Sequence, residues 1–306
     1  MTKVVIVGSI NEDVFLDVVD LPRMGETVAA RRVSRSTGGK GANQAVAAAR
    51  LGARVELVAA TGVDDSGLRV RRDVASSGVD VTHLVAVDVA STGAAYIAVD
   101  DSAENTIIVA GGANLLLGAD AFPDVDLAGA TVGLCMEVSD EVIVTTVRKA
   151  TAVGSRVVLN LSPVRDLPEG VLSGIDVLLV NEHEAAHLAG SAVEGTDGVR
   201  RLRNSLGVAA LVVTLGSRGA VVCSSDLVDE VGCPTVVAVD TTGCGDAFAG
   251  ALIAAVAAGR SLTEAARLAA AVGAYAATKR GAQPSYPDLS EFRDWVEKLG
   301  LGEFVI

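Results

Sequence analysis

The stretch DTTGCGDAF, Asp240 to Phe248, sets small and acidic residues directly before an apolar run, AFAGALIAAVAAG. Gly243 and Gly245 flank Cys244 where a helix must begin, and glycine permits unusual backbone angles and close ligand approach. The first amides of a helix have no intrahelical acceptor. Gly243, Cys244 and Gly245 can therefore face an anion, reinforced by the helix dipole. Asp246 stands at the same point. A carboxylate beside an anion site is repulsive unless it has another task. Accepting a proton from a hydroxyl that attacks a phosphoryl group is such a task. The plainer reading is an N-cap aspartate in a glycine turn. No P-loop run, GxxxxGKS or GxxxxGKT, occurs in the chain, so a bound phosphate would need another architecture.

Three further clusters combine small and polar residues. In STGGKGANQAVAAARLG, Ser36 to Gly52, Gly39 lets a ligand reach the backbone. Lys40 and Asn43 then lie three apart on one helix face as directed donors; Lys40 as a solvated surface residue is the simpler alternative. In GSINEDVFLD, Asn11 and Asp13 share one side of an extended chain and suit adjacent hydroxyls, which a carboxylate binds with charge-assisted bonds. In VNEHEAAHL, Asn181 and Glu184 follow an apolar strand into a helix, placed to orient metal-bound water or phosphate. His183 and His187 are spaced as a metal pair but lack a third ligand by sequence, so surface helix positions are expected.

The elements that must position these residues alternate. Val4 to Ile10, Val132 to Cys135, Val157 to Leu159, Val177 to Val180 and Leu211 to Leu215 are continuous apolar strands. Such strands are buried on both faces, as in a parallel sheet between helix layers. Helical patterns over Ala42 to Leu51, Gly67 to Ser76, Ser139 to Ala152, Glu182 to Leu188 and Gly198 to Ser205 supply the crossovers. The class is α/β. Segments 14–36 and 84–109 break the pattern with short strands and polar turns. They read either as a small separate sheet, placed as a lid, or as edge strands of the main sheet. The last third is helical, interrupted by the turn-rich KRGAQPSYP, Lys279 to Pro287. No repeat or linker divides the chain, which reads as one domain over 1–306.

Half of the 306 residues are hydrophobic, enough for a large core, and only nine are aromatic, so packing rests on Val, Leu, Ile and Ala. A net charge of −13 argues against nucleic acid or an anionic membrane as partner. Four cysteines form no CxxC or Cys/His metal pattern. The start, MTKVVIVGSI, has no signal-peptide organisation, and a cytoplasmic location is expected.

These motifs resemble the ribokinase-like (PfkB) carbohydrate kinase family. The resemblance rests on GGKGANQAVAAARLGARVELVAATGVDDSG, Gly38 to Gly67, and DTTGCGDAFAGAL, Asp240 to Leu252, with VNEHEA, VTLGSRGA and KRGAQPS in the same order. It implies a three-layer α/β/α sandwich with a mostly parallel central sheet and a small β-sheet lid, inserted from about 12–37 and 84–109. It also implies ATP-dependent phosphorylation of a sugar, with the 5-hydroxyl of D-ribose as acceptor. By the resemblance, Asp246 is the catalytic base, and the amides of Gly243, Cys244 and Gly245 form the anion hole. Asn11, Asp13, Gly39, Lys40, Asn43 and Glu137 contact the sugar. Asn181 and Glu184 organise magnesium and phosphate through water, and Thr214, Gly216, Gly219 and Ala270 border the nucleotide. A monovalent cation, usually potassium, is implied at Asp240, Thr242, Ala276, Lys279, Gly281 and Ser285. A homodimer through the lid strands is implied as well.

Two positions depart from the pattern. Cys244 stands where the family commonly has Ala, and a helix N-terminus would lower its thiol pKa if the group were exposed. Ala270 stands where Asn or His is frequent, so the adenine contact must differ. The rival readings are a family kinase for 2-deoxyribose, another sugar or a nucleoside, and a sugar-binding protein without catalysis. A nucleoside kinase would want an aromatic platform, for which the lid segments offer only Phe15 and Tyr96. A dinucleotide oxidoreductase would need GxGxxG after the first strand, where GSINED stands.

Overall fold

The computed structural model describes residues 3–102, 104–118 and 125–304, so Ala103, within the second expected lid segment, lies outside the described residues. Nine strands build the main sheet: β1 (Lys3–Val7), β4 (Arg54–Gly62), β5 (Leu84–Val87), β8 (Thr131–Cys135), β9 (Arg156–Asn160), β10 (Val177–Asn181), β11 (Ala210–Thr214), β12 (Ala220–Cys223) and β13 (Val228–Val231). Their order is β13-β12-β11-β10-β9-β8-β1-β4-β5. All neighbours are parallel except β11–β12 and β12–β13.

Along β1, alternate side chains enter opposite layers. Val4 and Ile6 join the core beneath α1 (Lys40–Arg50), α6 (Cys244–Ala257) and α7 (Leu262–Ala277). Val5 and Val7 join the core beneath α3 (Asp140–Ala152), α4 (Glu182–Ala189) and α5 (Gly195–Leu206). This double burial is why the strands read as continuous apolar runs. Helices α2 (Asp65–Ser76) and α8 (Leu289–Lys298) pack on the first side. The result is the expected three-layer α/β/α sandwich.

A second, four-stranded sheet has the order β3-β2-β6-β7, from β2 (Asn11–Asp17), β3 (Arg32–Gly38), β6 (Gly93–Val99) and β7 (Asn105–Ala110). The first expected lid segment supplies β2 and β3. The second must be corrected: 84–87 is β5, paired in parallel with β4 at the edge of the main sheet, and only β6 and β7 belong to the small sheet. Leu84 is buried in the main core and anchors β5 there. A four-residue strand has too short a pattern to name its partner. The first strand also ends at Val7, not Ile10, and the sequence pattern did not single out β4, β12 or β13. Among the described residues, no helix is long and apolar enough to cross a membrane.

From β1 the chain proceeds to β4 and β5 on one side, while β8 to β11 lie on the other. The strand order therefore reverses between β1 and β8. Ligands of open α/β sheets bind at the carboxyl ends of the strands where such a reversal opens a crevice.

Candidate active site

The start of α6 lies over that crevice. Gly243 is its N-cap, with φ of 75°, and no side chain caps it. Asp246 is therefore not the N-cap residue; it sits in the first turn, 7% exposed. Its carboxylate turns toward α1, where Oδ2 accepts from Asn43 Nδ2 at 2.9 Å and Oδ1 accepts from Gln44 Nε2 at 3.3 Å. Helices α1 and α6 approach closely enough that a Cβ on Gly250 would lie 2.5 Å from the Gln44 carbonyl. The Cys244 amide donates to the Thr241 carbonyl at 3.2 Å. Among the described residues, no acceptor pairs with the amides of Gly243, Gly245 and Asp246, so these are the open donors of the turn.

Helix α1 also begins on a glycine. Gly39 has φ of 89°, and a Cβ there would lie 2.8 Å from the Asn11 nitrogen, which only glycine avoids. Lys40 follows, its amide donating to Glu137 Oε2 at 3.1 Å. Glu137 also accepts from the Ser9 hydroxyl. Asn11 and Asp13 lie on β2 and are both buried. Asn11 Oδ1 accepts from Asn114 Nδ2 at 2.8 Å, and Asn114 also bridges both backbone groups of Ile10. Asp13 fits because Gly38 has no side chain: a Cβ there would sit 2.0 Å from its carboxylate.

Four carboxylates thus share the site: Asp246, Glu137 and Glu184 act on Lys40, and Asp13 feels Glu137 and Asp246. The charge of Asp246 pushes the Lys40 pKa up against the opposing effect of burial, with help from Glu137 and Glu184. Burial, followed by the charges of Glu137 and Asp246, raises Asp13 to about 7. The sugar-contact set expected from the sequence is therefore brought together, with Lys40 inside the site rather than at the surface.

Three cavities run along the strand ends. One, about 660 Å³, is lined by Ser9, Asn11, Asn114, Glu137 and Arg165 among others. A narrow cleft of about 140 Å³ holds Lys40, Asn181, Glu184, Thr214, Gly245 and Asp246. Thr214 and Gly245 also border a third, mostly apolar cavity of about 480 Å³, with Gly216, Gly219, Cys233, Cys244 and Ala270. Asp246 thus stands in the narrow cleft, with the polar side chains of Lys40, Asn43 and Glu184 about it and the cavity large enough for a planar base beyond Thr214 and Gly245.

Asn181 and Glu184 form a capping box on α4: Asn181 Oδ1 accepts from the Glu184 amide and Glu184 Oε2 accepts from the Asn181 amide, each at 2.8 Å. Glu184 keeps its other oxygen for the cleft it lines. Among the described residues, no group of three or more His, Cys, Asp or Glu side chains could cage a metal, and His183 and His187 are exposed. A hard divalent ion held by nucleotide phosphates and water, with one buried carboxylate nearby, fits this donor set.

The loop after α7 meets the turn before α6. Asp240 Oδ1 accepts from the Thr242 amide at 2.9 Å and Oδ2 from the Gly281 amide at 2.8 Å. Burial opposes ionisation of Asp240, but these amides outweigh it and hold the carboxyl below its usual range. An anionic Asp240, the Ser285 hydroxyl and nearby carbonyls of Thr242, Ala276 and Gly281 are oxygen donors that fit a monovalent cation. The Lys279 ammonium points elsewhere, 4.5 Å over the Tyr275 ring and 3.6 Å from Glu291, so only its backbone can contribute. The Cys244 thiol differs from the expectation for an exposed helix start. It is half-buried, and burial, then Asp240, Cys233 and Asp246, raise it to about 11.

Gln44, Asn114 and Gln283 were missed by sequence reasoning. Each acts through another side chain, and their only signal is a polar residue within an otherwise apolar or turn segment.

The comparisons agree with this geometry. The pattern of the pfkB family carbohydrate kinase matches residues 1–289. The chain is 34% identical to a ribokinase of Haemophilus influenzae over 299 residues, 95% of this chain and 97% of that protein. It is 31% identical to a deoxyribokinase of Salmonella typhi, covering 96% of this chain and 98% of that one. The structure of Arabidopsis thaliana ribokinase complexed with ribose and ATP superposes with a TM-score of 0.88 at 30% identity, covering 97% and 99% of the two chains. A match of this extent, through both glycine-led helix starts and both sheets, means that the chain belongs to the pfkB family of carbohydrate kinases.

Proposed function

We propose that this protein transfers the γ-phosphoryl group of ATP to the 5-hydroxyl of D-ribose. The observation that carries the reading is Asp246, a buried carboxylate at an uncapped helix start, set in the narrow cleft among polar side chains, with the apolar cavity beyond Thr214 and Gly245. Asp246 takes the hydroxyl proton as the oxygen attacks phosphorus. The Gly243 and Gly245 amides stabilise charge on the transferring group, where preorganised donors are most effective. The Cys244 amide joins them only if its bond to Thr241 opens. Asn11, Asp13, Lys40, Asn43, Glu137 and the backbone at Gly39 hold the sugar. Thr214, Gly216, Gly219 and Ala270 border the nucleotide, with Asn181 at the phosphate end.

Mg2+, held through water near Glu184, would offset phosphate charge that the four carboxylates otherwise repel. K+, held by Asp240, Thr242, Ala276, Lys279, Gly281 and Ser285, would order the turn ahead of α6. The small sheet covers the sugar and excludes water. Its β7 edge exposes Ile107, Ile108 and Val109, with Ile108 65% exposed. Unpaired apolar edges invite a second strand, so a homodimer through this sheet is the expected assembly.

The 31%-identical deoxyribokinase supports a second reading, 2-deoxyribose as acceptor. ADP release from ATP–Mg2+ with D-ribose, 2-deoxyribose, other pentoses, hexoses and ribosides, in potassium and in sodium, decides between them. Ribose turnover stimulated by potassium is expected. Turnover of 2-deoxyribose alone replaces the substrate assignment. No turnover with any acceptor overturns the kinase reading in favour of a binding role.

A further inference from the structure

The loop between α7 and α8 reaches the site at three points. The Gly281 amide bonds Asp240, as described. The Tyr286 hydroxyl donates to the carbonyl of Gly243, the N-cap of α6, at 3.1 Å. Gln283, 7% exposed, donates its Nε2 to Asn43 Oδ1 at 3.0 Å. Asn43 in turn donates to Asp246 Oδ2. Arg50, the last residue of α1, steadies the loop by donating Nη1 to the carbonyls of Gln283 at 2.8 Å and Tyr286 at 2.7 Å.

This chain of bonds has a direction. A side-chain amide has one accepting end and one donating end. Donation from Gln283 occupies the accepting end of Asn43, so the Asn43 NH2 must face Asp246. The reverse orientation would set an amide oxygen against a carboxylate oxygen in a buried site, where unpaired polar contacts are costly. The first hydrogen of the NH2 then fixes Asp246 Oδ2, and the second stays available to an acceptor hydroxyl.

We infer that Gln283 is a positioning residue: it sets the orientation of the Asn43 amide and, through it, the rotation of the Asp246 carboxylate, coupling the α7–α8 loop to the base. The inference rests on the phosphotransfer reading of Asp246.

Gln283→Glu keeps the size of the side chain, but an ionised carboxylate only accepts. Its kcat for the sugar that the unsubstituted protein turns over is expected to fall about tenfold to hundredfold, the size of a hydrogen bond to a charged group. KM for ATP should stay within about twofold of the unsubstituted value, because the nucleotide cavity is untouched. The same substitution in an Asn43→Ala background should cost less than about twofold more, since the relay is already cut. An equal loss in both backgrounds, or a folded Gln283→Glu protein with unchanged kcat, overturns the inference. If Gln283→Glu does not fold, Gln283→Met passes through the same cycle with the same criteria. If the unsubstituted protein turns over no sugar, the phosphotransfer reading is what fails. The relay is then decided by the side-chain amide resonances of Asn43, which Gln283→Met must shift; unshifted resonances overturn it.

Discussion

Helices α1 and α6 start differently from α7 and α8. At α7, Ser261 Oγ accepts from the Glu264 amide and Glu264 Oε2 accepts from the Ser261 amide at 2.9 Å. At α8, Asp288 and Glu291 close the same box at 2.8 and 3.2 Å. Those starts spend their orphan donors on their own side chains and gain stability. The starts of α1 and α6 have glycine caps of positive φ and no side-chain cap bond. At α6 the amides of Gly243, Gly245 and Asp246 stay open, whereas at α1 the Lys40 amide goes to Glu137 Oε2, the Gly41 amide to the Ser9 hydroxyl and the Ala42 amide to the Ser9 carbonyl, all partners distant in sequence or across the site. Asp246 and Lys40 line the same cleft. At α6 local stability is withheld where a ligand is to supply the missing partners, and at α1 the tertiary fold supplies them instead of a local cap. Helix α4 is intermediate: it is boxed by Asn181 and Glu184, yet it borders the same cleft.

The sharpest way to break this contrast is Asp246→Asn. Loss of the base should lower kcat about 10²- to 10⁴-fold while the melting temperature changes little, measured by ADP release and calorimetry. A variant that retains kcat would leave the α6 start a structural turn like the others.

Asp13→Asn should separate function from stability. A native group raised to about 7 from 3.8 binds a proton that the unfolded chain has already released. Its contribution is intact below about pH 4 and is lost as pH rises to about 7. Above pH 7, Asp13→Asn should therefore stabilise the protein, on the order of 2–4 kcal/mol, while sugar turnover collapses. Urea melts at pH 5 and pH 8 check the sign: the gain must be larger at pH 8.

Gly243→Ala forces a Cβ to within 2.6 Å of Ala282 Cβ and the Tyr286 oxygen at φ of 75°. A loss of about 2–3 kcal/mol is expected from strain and crowding, with turnover reduced as well. Ser261→Ala should show the opposite balance. Loss of that cap costs about 1 kcal/mol in a urea melt and leaves kcat unchanged. A comparable loss of activity from Ser261→Ala would remove the distinction between the two kinds of helix start.

Much of the site was legible because its chemistry is local. Residues 243–246, 39–43 and 11–13 each place glycine or polar groups within a few positions of a strand end or helix start, and the caps, φ values and burial follow from those residue types. The continuous apolar strands likewise imply a sheet covered on both faces. Pairing between distant segments was not legible. Leu84–Val87 carries a strand pattern but nothing that says which sheet it joins; Leu84 packing into the main core decides it. Cys244 at a helix start would carry a lowered thiol pKa only if exposed, and exposure is not legible locally; burial, then Asp240, Cys233 and Asp246, raise it instead. Gln44, Asn114 and Gln283 take their meaning from partners 202, 103 and 240 positions away. The sequence by itself determined the elements, their apolar faces and the chemistry at each helix start, because these depend on near neighbours. Only the tertiary structure decided which polar groups meet, because a hydrogen bond across more than a hundred residues is set by how the layers pack.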